Sequence, residues 1–353
     1  MPDSSAYARS RARVVRMAEN AHDDRALRRA VIAELRDLIG FDAYAWVLTD
    51  PATSVGAAPL AEVPWLAELP RHIRLKYLTP VNRWTGLDRP AALLNDVTGG
   101  EPAQSLLWRE LLAGHGVGDV ASAVFRDRFG CWAFLELMRD AARGTFTPGD
   151  LAFLTDLADP LTFALRRLQA ATFAASSVTE LPHEGPVVLL LSPELEVRAQ
   201  TQETQDYLAR LVPPATGRAP IPASAYNVAA QLLAVEAGVD ANLPTARVHL
   251  VDGVWLTLRA ARLDGPGRQH ERDIAVTIEP TPPAQRIDLF ARAFGLSPRE
   301  SELLNHLAAG ADTRELAGRL FLSEHTVQDH LKSIFAKTST RSRRTLLSRA
   351  LGT

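Results

Sequence analysis

Between Ser323 and Lys337 the chain spaces its polar side chains in a way that suits contact with a nucleic acid. At about 100° per residue, Val327, Leu331, Ile334 and Phe335 fall on one apolar stripe. The opposite face carries His325, Asp329, Lys332, Ser333 and Ala336, flanked by Gln328 and His330. Apart from Lys332 these side chains are short, so the face can enter a major groove without clash and bring polar groups to base edges. Lys332, Lys337, Arg341, Arg343 and Arg344 cluster on this segment and just after it, where the phosphates of a bound duplex would lie. Ser323 is placed to cap this helix. A second helical pattern at 313–320 ends only Phe321-Leu322 before it, the tight joint of a helix-turn-helix.

Charge partitions the same way. The 353 residues hold 39 Lys+Arg and 41 Asp+Glu, a net of −2 that on average argues against nucleic acid. From Arg286 onward, however, 11 basic residues face 7 acidic ones, which leaves 28 against 34 upstream. The basic residues are nearly all arginine. The three lysines are Lys76, Lys332 and Lys337, two of them beside the proposed groove-facing helix. With 46% apolar and 23% charged residues the chain is a folding, globular one, long enough for two or three domains. The single cysteine, Cys131, excludes an internal disulfide and any cysteine-cluster metal site. The charged N-terminus lacks a signal-peptide core and no run approaches a membrane span, so the expectation is a cytoplasmic protein with no membrane partner.

The elements that must position these residues follow from periodicity. Residues 25–39 read as an amphipathic helix, and 1–24 as a tail or an extension of it. Residues 44–48, 120–125 and 131–138 read as strands, the last two joined by a turn at 126–130. Thr147-Pro-Gly-Asp150 opens a long helix with Pro160 as a kink, closing a first α+β unit over 25–173. A small, polar linker at 174–186 follows. Strands at 187–191 and 195–199, helices near 202–212 and 222–236, and strands at 246–251, 254–262 and 273–279 make a second α+β unit, 187–279, with Asp252-Gly253 as a hairpin turn. Pro280-Thr-Pro-Pro283 opens a stiff linker, 280–286, and 287–353 is wholly helical, with Ser297-Pro-Arg-Glu300 as a capping box.

The stretch LSPRESELLNHLAAGADTRELAGRLFLSEHTVQDHLKSIFAKTSTRSRRTLL resembles the DNA-binding domain of LuxR-type transcriptional regulators over about 60 residues, through LSPRE, the gap ending in AAG, ELAGRL, LSEHTVQDHLKSIFAK and the RSR of the last helix. The resemblance implies a four-helix unit whose third helix reads the major groove of double-stranded DNA and whose last helix pairs with a second subunit in a homodimer. It gives Ser323 the recognition-helix N-cap, Gln328, Asp329 and Lys332 the base edges, and Thr326, His330 and Lys337 the phosphate backbone, with Thr313 near a further phosphate. Two positions depart from the family. Where relatives often carry lysine stands Gln328, which favours adenine. Where they carry a small or neutral residue stands Asp329, which accepts from cytosine or pairs with His325 four residues earlier.

By element order the first unit resembles a GAF domain and the second a PAS-related domain, which implies sensors responding to a small molecule or a partner. Trp46, Trp65, Tyr77, Trp84, Trp108 and Trp132 are candidates to line a pocket, with Trp46, Trp84 and Trp108 foremost, and His115 is a candidate ligand between two glycines. No further His or Cys stands at ligand spacing, so no metal or cofactor is required, and without a phosphate loop, HExxH or GxSxG no catalytic residue is assigned. The expected fold is therefore multidomain: two α+β sensor domains, GAF-like and PAS-like, ahead of an all-α helix-turn-helix domain. The expected function is regulated transcription, without enzymatic activity. A response regulator is excluded by the lack of paired acids after a first strand. An acyl-homoserine-lactone receptor is disfavoured because Thr79 stands where an aspartate is expected before Pro80. The remaining alternative is a signalling or scaffold protein whose helical tail binds protein, such as RNA polymerase.

Overall fold

The computed structural model of the chain describes residues 3–174, 186–211, 220–250, 254–264 and 271–352. Two compact units emerge: Met1–Leu165, Pro182–Val248 and Thr257–Glu279 form one, and Arg166–Leu181, His249–Leu256 and Pro280–Thr353 the other. The first unit contains two antiparallel α+β domains. They do not form separate bodies, as the expected linker at 174–186 would suggest. Only Ala174 and Pro186 of that linker lie within the described residues.

Two helices open the chain, α1 (Ser4–Glu19) and α2 (Asp24–Leu38), each capped by an aspartate: Asp3 accepts from Ala6 N and Asp23 from Ala26 N. The first residues are thus a helix in their own right, with Ser10, Val14 and Ala18 buried and Ser10 Oγ donating to Glu34 at 2.6 Å. The first sheet has the order β2-β1-β5-β4-β3, from β1 (Ala43–Thr49), β2 (Gly56–Glu62), β3 (Ala91–Leu93), β4 (Val117–Asp127) and β5 (Gly130–Asp140). Between its strands lie α3 (Leu69–Leu78), α4 (Leu94–Val97) and α5 (Leu106–Glu110). The β4–β5 hairpin closes with Asp127 opposite Gly130, as the sequence predicts. Gly130 is required there, because a Cβ would stand 2.3 Å from the Pro51 carbonyl oxygen.

Alternation in β1 sorts its side chains. Ala43 joins a cluster with Trp65, Leu75, Leu107 and Leu111 from the α3–α5 region. The neighbouring Tyr44 instead packs beneath the Arg36 guanidinium of α2, whose Arg28 donates to the Trp46 and Ala58 carbonyls at 3.2 and 3.0 Å. The long helix α6 (Pro148–Ala171) runs through Pro160 and meets α1 where Tyr7 donates to Asp150 at 2.7 Å.

The second sheet repeats the first one's plan. Its order is β7-β6-β10-β9-β8, from β6 (Val187–Leu191), β7 (Val197–Gln200), β8 (Thr245–His249), β9 (Trp255–Arg262) and β10 (Ile274–Pro280), with α7 (Thr204–Leu211) and α8 (Ala223–Glu236) between them. Counted within each domain, both sheets read 2-1-5-4-3. The Asp252-Gly253 turn lies outside the described residues, but Leu250 N donates to Val254 O at 2.8 Å across it.

Helix α8 is buried almost all round, from Ala223 to Ala234, as a helix without a polar face must be. Its partner is the first domain. Ser224 Oγ donates to Ala57 O at 2.6 Å, and Gly56 leaves the space that Asn227 fills, since a Cβ there would stand 2.9 Å from Asn227 Cγ. Two desolvated ion pairs fix the junction. Arg247 grips Asp50 with two bonds of 2.7 Å from Nε and Nη2 while its backbone N–H donates to the same carboxylate at 2.8 Å. Arg83 pairs with Asp240 at 2.7 Å and donates to Gln231 at 2.9 Å.

The second unit gathers Phe173, Trp255, Phe290 and Phe294, with Phe173 stacked on Trp255 at 5.3 Å and Phe290 against Phe294 at 4.5 Å. Its helices are α9 (Pro283–Ala293), α10 (Pro298–Ala308), α11 (Thr313–Leu320), α12 (Glu324–Thr338) and α13 (Arg343–Leu351). The linker expected to reach residue 286 ends at Pro282, because Pro283 and the residues after it suit a first helical turn, where a missing N–H costs nothing.

The Asp50 pair yields a test. Asp50→Asn takes the buried carboxylate away from the Arg247 guanidinium and is expected to lower stability by about 3–5 kcal/mol in urea unfolding. The double variant Asp50→Leu/Arg247→Met is expected to recover most of that loss. Additive losses in the double variant would show that the two groups do not act as a pair.

Candidate nucleic-acid interface

Helix α10 begins with the capping box its sequence encodes: Glu300 N donates to Ser297 Oγ, and Ser297 N to Glu300 Oε2 at 2.6 Å. The same carboxylate reaches across to α12, accepting from Ser333 Oγ and Lys337 Nζ, both at 2.6 Å. Burial alone would raise the Glu300 carboxyl, but Lys337, Ser333 and the Ser297 N–H outweigh it and hold it down at about 2. One side chain therefore caps one helix and anchors another.

Helix α11 has a second capping box, Asp312 with Glu315, and ends at Phe321, whose φ of 53° turns the chain sharply. Ser323 then caps α12, accepting from Thr326 N at 3.1 Å. Val327, Leu331 and Ile334 are buried, as their stripe predicts, and so are Leu303, Leu316 and Leu346 of the neighbouring helices. Phe335, the fourth residue of the stripe, is only half-buried.

That packing leaves Gln328, Asp329 and Lys332 exposed. Asp329 pairs with Lys332 at 3.2 Å, a contact the sequence reading missed, and with His325 at 3.5 Å, the partner it expected. Gln328 leans toward Thr313 Oγ1 at 3.5 Å, and Arg343, at the start of α13, donates to the same oxygen at 2.5 Å. Three helices thus bring Gln328, Thr313 and Arg343 to one spot. Arg341 and Arg344 are exposed nearby in sequence, while Thr326 and His330 are half-buried. The ammonium of Lys337 is engaged within the domain by Glu300, so a phosphate would have to compete for it.

The tryptophan candidates of the first domain are engaged by their neighbours. Trp46 is fully buried and stacks on Phe125 at 5.3 Å. Trp84 stacks on Phe134 at 4.3 Å and donates to Ser54 O at 2.8 Å. Trp108 donates to Val117 O at 2.8 Å, and Trp132 to Asp127 at 3.0 Å. His115 stacks on Trp65 and contacts Glu68 at 2.8 Å. Burial pushes the Cys131 thiol up to about 11. Among the described residues no group of three His, Cys, Asp or Glu is arranged to hold a metal ion, and no helix is long and apolar enough to cross a membrane. An actual cavity of about 190 Å³ lies elsewhere in the first unit, and of the six aromatic candidates only Tyr77 lines it. The signal that could have found it is Lys76, the one lysine far from the C-terminus, which also lines this cavity.

Residues 295–350 match the family described as bacterial regulatory proteins, luxR family. The chain is 42% identical over 60 residues to a probable HTH-type transcriptional regulator, GfsR, of Streptomyces halstedii, covering 17% of this chain and 25% of that protein. It is 46% identical over 48 residues to the probable csgAB operon transcriptional regulatory protein of Salmonella typhimurium and to the CsgBAC operon transcriptional regulatory protein of Escherichia coli, covering 14% of this chain and 22% of each relative. The chain thus spans about a quarter of the length of the curated relatives it matches. A crystal structure of Escherichia coli SdiA aligns with a TM-score of 0.39 at 13% identity, covering 97% of this chain and 96% of that one. SdiA in complex with octanoyl-rac-glycerol aligns with a TM-score of 0.32 at 15% identity, covering 100% and 97%. The C-terminal segment is a LuxR-type helix-turn-helix domain.

The Glu300 anchor predicts an acid transition. A carboxyl whose pKa falls on folding stabilises fully above its unfolded value near 4.5, and that stability disappears as pH drops toward about 2. Amide exchange in α10 and α12 is expected to accelerate over this window in the native protein. Glu300→Gln is expected to flatten that dependence and to cost about 2 kcal/mol at neutral pH. An unchanged acid profile in the variant would show that the anchor does not hold the domain.

Proposed function

We propose that the protein is a sequence-specific DNA-binding transcriptional regulator without enzymatic activity, acting as a homodimer whose N-terminal domains, GAF-like at 25–173 and PAS-like at 187–279, respond to a small molecule. The observation that carries the DNA-binding reading is the exposed polar face of α12, Gln328, Asp329 and Lys332, set opposite a buried apolar stripe in the segment that matches the LuxR family. Gln328, Asp329 and Lys332 read base edges from the major groove. Thr313, Thr326, His330, Arg341, Arg343 and Arg344 hold phosphates, with Lys337 joining them where it can leave Glu300. The net positive charge of this segment supports the same reading. The sensor assignment is supported by the 2-1-5-4-3 strand order shared by both sheets and by the cavity in the first unit.

Selection of bound fragments from the source genome, followed by footprinting, tests this. Lys332→Ala is expected to weaken protection of the selected site by roughly ten- to a hundred-fold with an unchanged circular dichroism spectrum. Protection of the same site at the same concentration would remove α12 as the reader. Asp329→Ala is expected to change the preferred base at one position and to steepen the salt dependence by about one unit of slope, as Lys332 is released to the duplex. An unaltered base preference would take Asp329 out of the readout.

A further inference from the structure

The cavity of the first unit has a composite wall. Sheet residues Val47, Leu60 and Phe134 give it an apolar lining, α3 contributes His72 and Lys76, and α8 of the second domain closes it with Asn227. Asn227 is 4% exposed, yet its carboxamide makes no hydrogen bond to any described residue. His72 is 5% exposed and accepts at Nδ1 from Trp65 Nε1–H at 2.7 Å. In the neutral ring the proton then sits on Nε2, which has no acceptor among the described residues. Burial holds the imidazolium pKa down at about 4, so the neutral form prevails at physiological pH. Two side chains more than nine-tenths buried therefore line the cavity with polar atoms that no described residue pairs, and a bound molecule can supply those partners.

Charge decides which molecule fits. Lys76 is spent on Glu136, a pair less than a tenth exposed, and the remaining cation of the lining, Arg25, lies exposed at the rim. A carboxylate entering here would meet the Glu136 charge with no free buried cation to match it. A neutral molecule meets two idle donors and apolar walls. For size, an apolar cavity of about 150 Å³ takes the six non-hydrogen atoms of benzene, so this one, at about 190 Å³, admits about eight.

We infer that this cavity is the receptor site for a compact, neutral, mainly apolar molecule carrying an oxygen that accepts from His72 and Asn227. The inference deepens the sensor half of the reading above and rests on it for its regulatory meaning. Gly56 belongs to the site, because only a residue without Cβ lets the Asn227 carboxamide approach.

Three matched probes, acetophenone, α-methylstyrene and benzoate, test it on the full chain by ligand-detected NMR titration. Acetophenone is expected to bind best, with α-methylstyrene and benzoate each roughly tenfold weaker. Asn227→Leu is expected to bring acetophenone and α-methylstyrene within about twofold of each other. Ala45→Leu, and separately Leu60→Phe, are expected to abolish binding of all three by filling the space, with circular dichroism confirming the fold. Tightest binding by benzoate, an acetophenone preference that survives Asn227→Leu, or undiminished binding in a folded filled variant would each overturn the inference. Footprinting of the same samples separates the two readings. Acetophenone binding by a protein that protects no DNA supports this site and removes the regulator reading. Normal footprints with no probe bound overturn this site alone.

Discussion

The N-terminal unit depends on burying charge in pairs. Asp50 and Arg247 are almost wholly removed from water, and such a pair gains little over a well-packed apolar contact, because desolvation cancels most of the attraction. What it supplies is position. A bidentate grip with a third bond from the Arg247 backbone admits one geometry, and the Arg83–Asp240 pair fixes a second point. With both points held, α8 can lie over β2 closely enough for Asn227 to occupy the space that Gly56 leaves. The wall of the cavity is thus a consequence of ion pairs that do not touch it.

The C-terminal domain applies the same device once. Glu300 is the carboxylate through which α10 sets the height and rotation of α12, and a helix that must present one face to a partner needs both fixed. Two lysines five residues apart have opposite fates as a result. Lys337 is drawn inward to Glu300, whereas Lys332 stays on the surface with Asp329. Counting basic residues near a helix does not distinguish them, because the difference lies in what the neighbouring helix places opposite.

This contrast marks what was legible in the sequence. The Ser297–Glu300 capping box, the Ser323 cap, the β4–β5 hairpin and three of the four residues of the α12 stripe are local, written within a few residues, and the structure realises them. The tryptophans were misleading for a general reason: a large apolar ring suits a core at least as well as a pocket, and only tertiary packing decides. The cavity was illegible because its polar members, His72, Glu136 and Asn227, come from segments far apart, and each reads singly as an ordinary helix or strand residue. Likewise the burial of α8 shows in its composition, but the domain that covers it does not.

A carboxylate on the face proposed to read DNA at first looks like a defect, yet its position argues otherwise. The contact between Asp329 and Lys332 is exposed and 3.2 Å long, a class of pair contributing about 0–1 kcal/mol and screened by salt. Releasing Lys332 to a base edge therefore costs little beside the roughly 1–3 kcal/mol that a good base contact discriminates. On a random sequence no such contact forms, the pair stays closed, and the charge Lys332 offers to phosphates is largely cancelled. On the DNA-binding reading, then, Asp329 removes attraction mainly from the wrong complexes. It lowers affinity overall and raises the ratio between specific and nonspecific binding, which is the quantity a regulator in a genome needs.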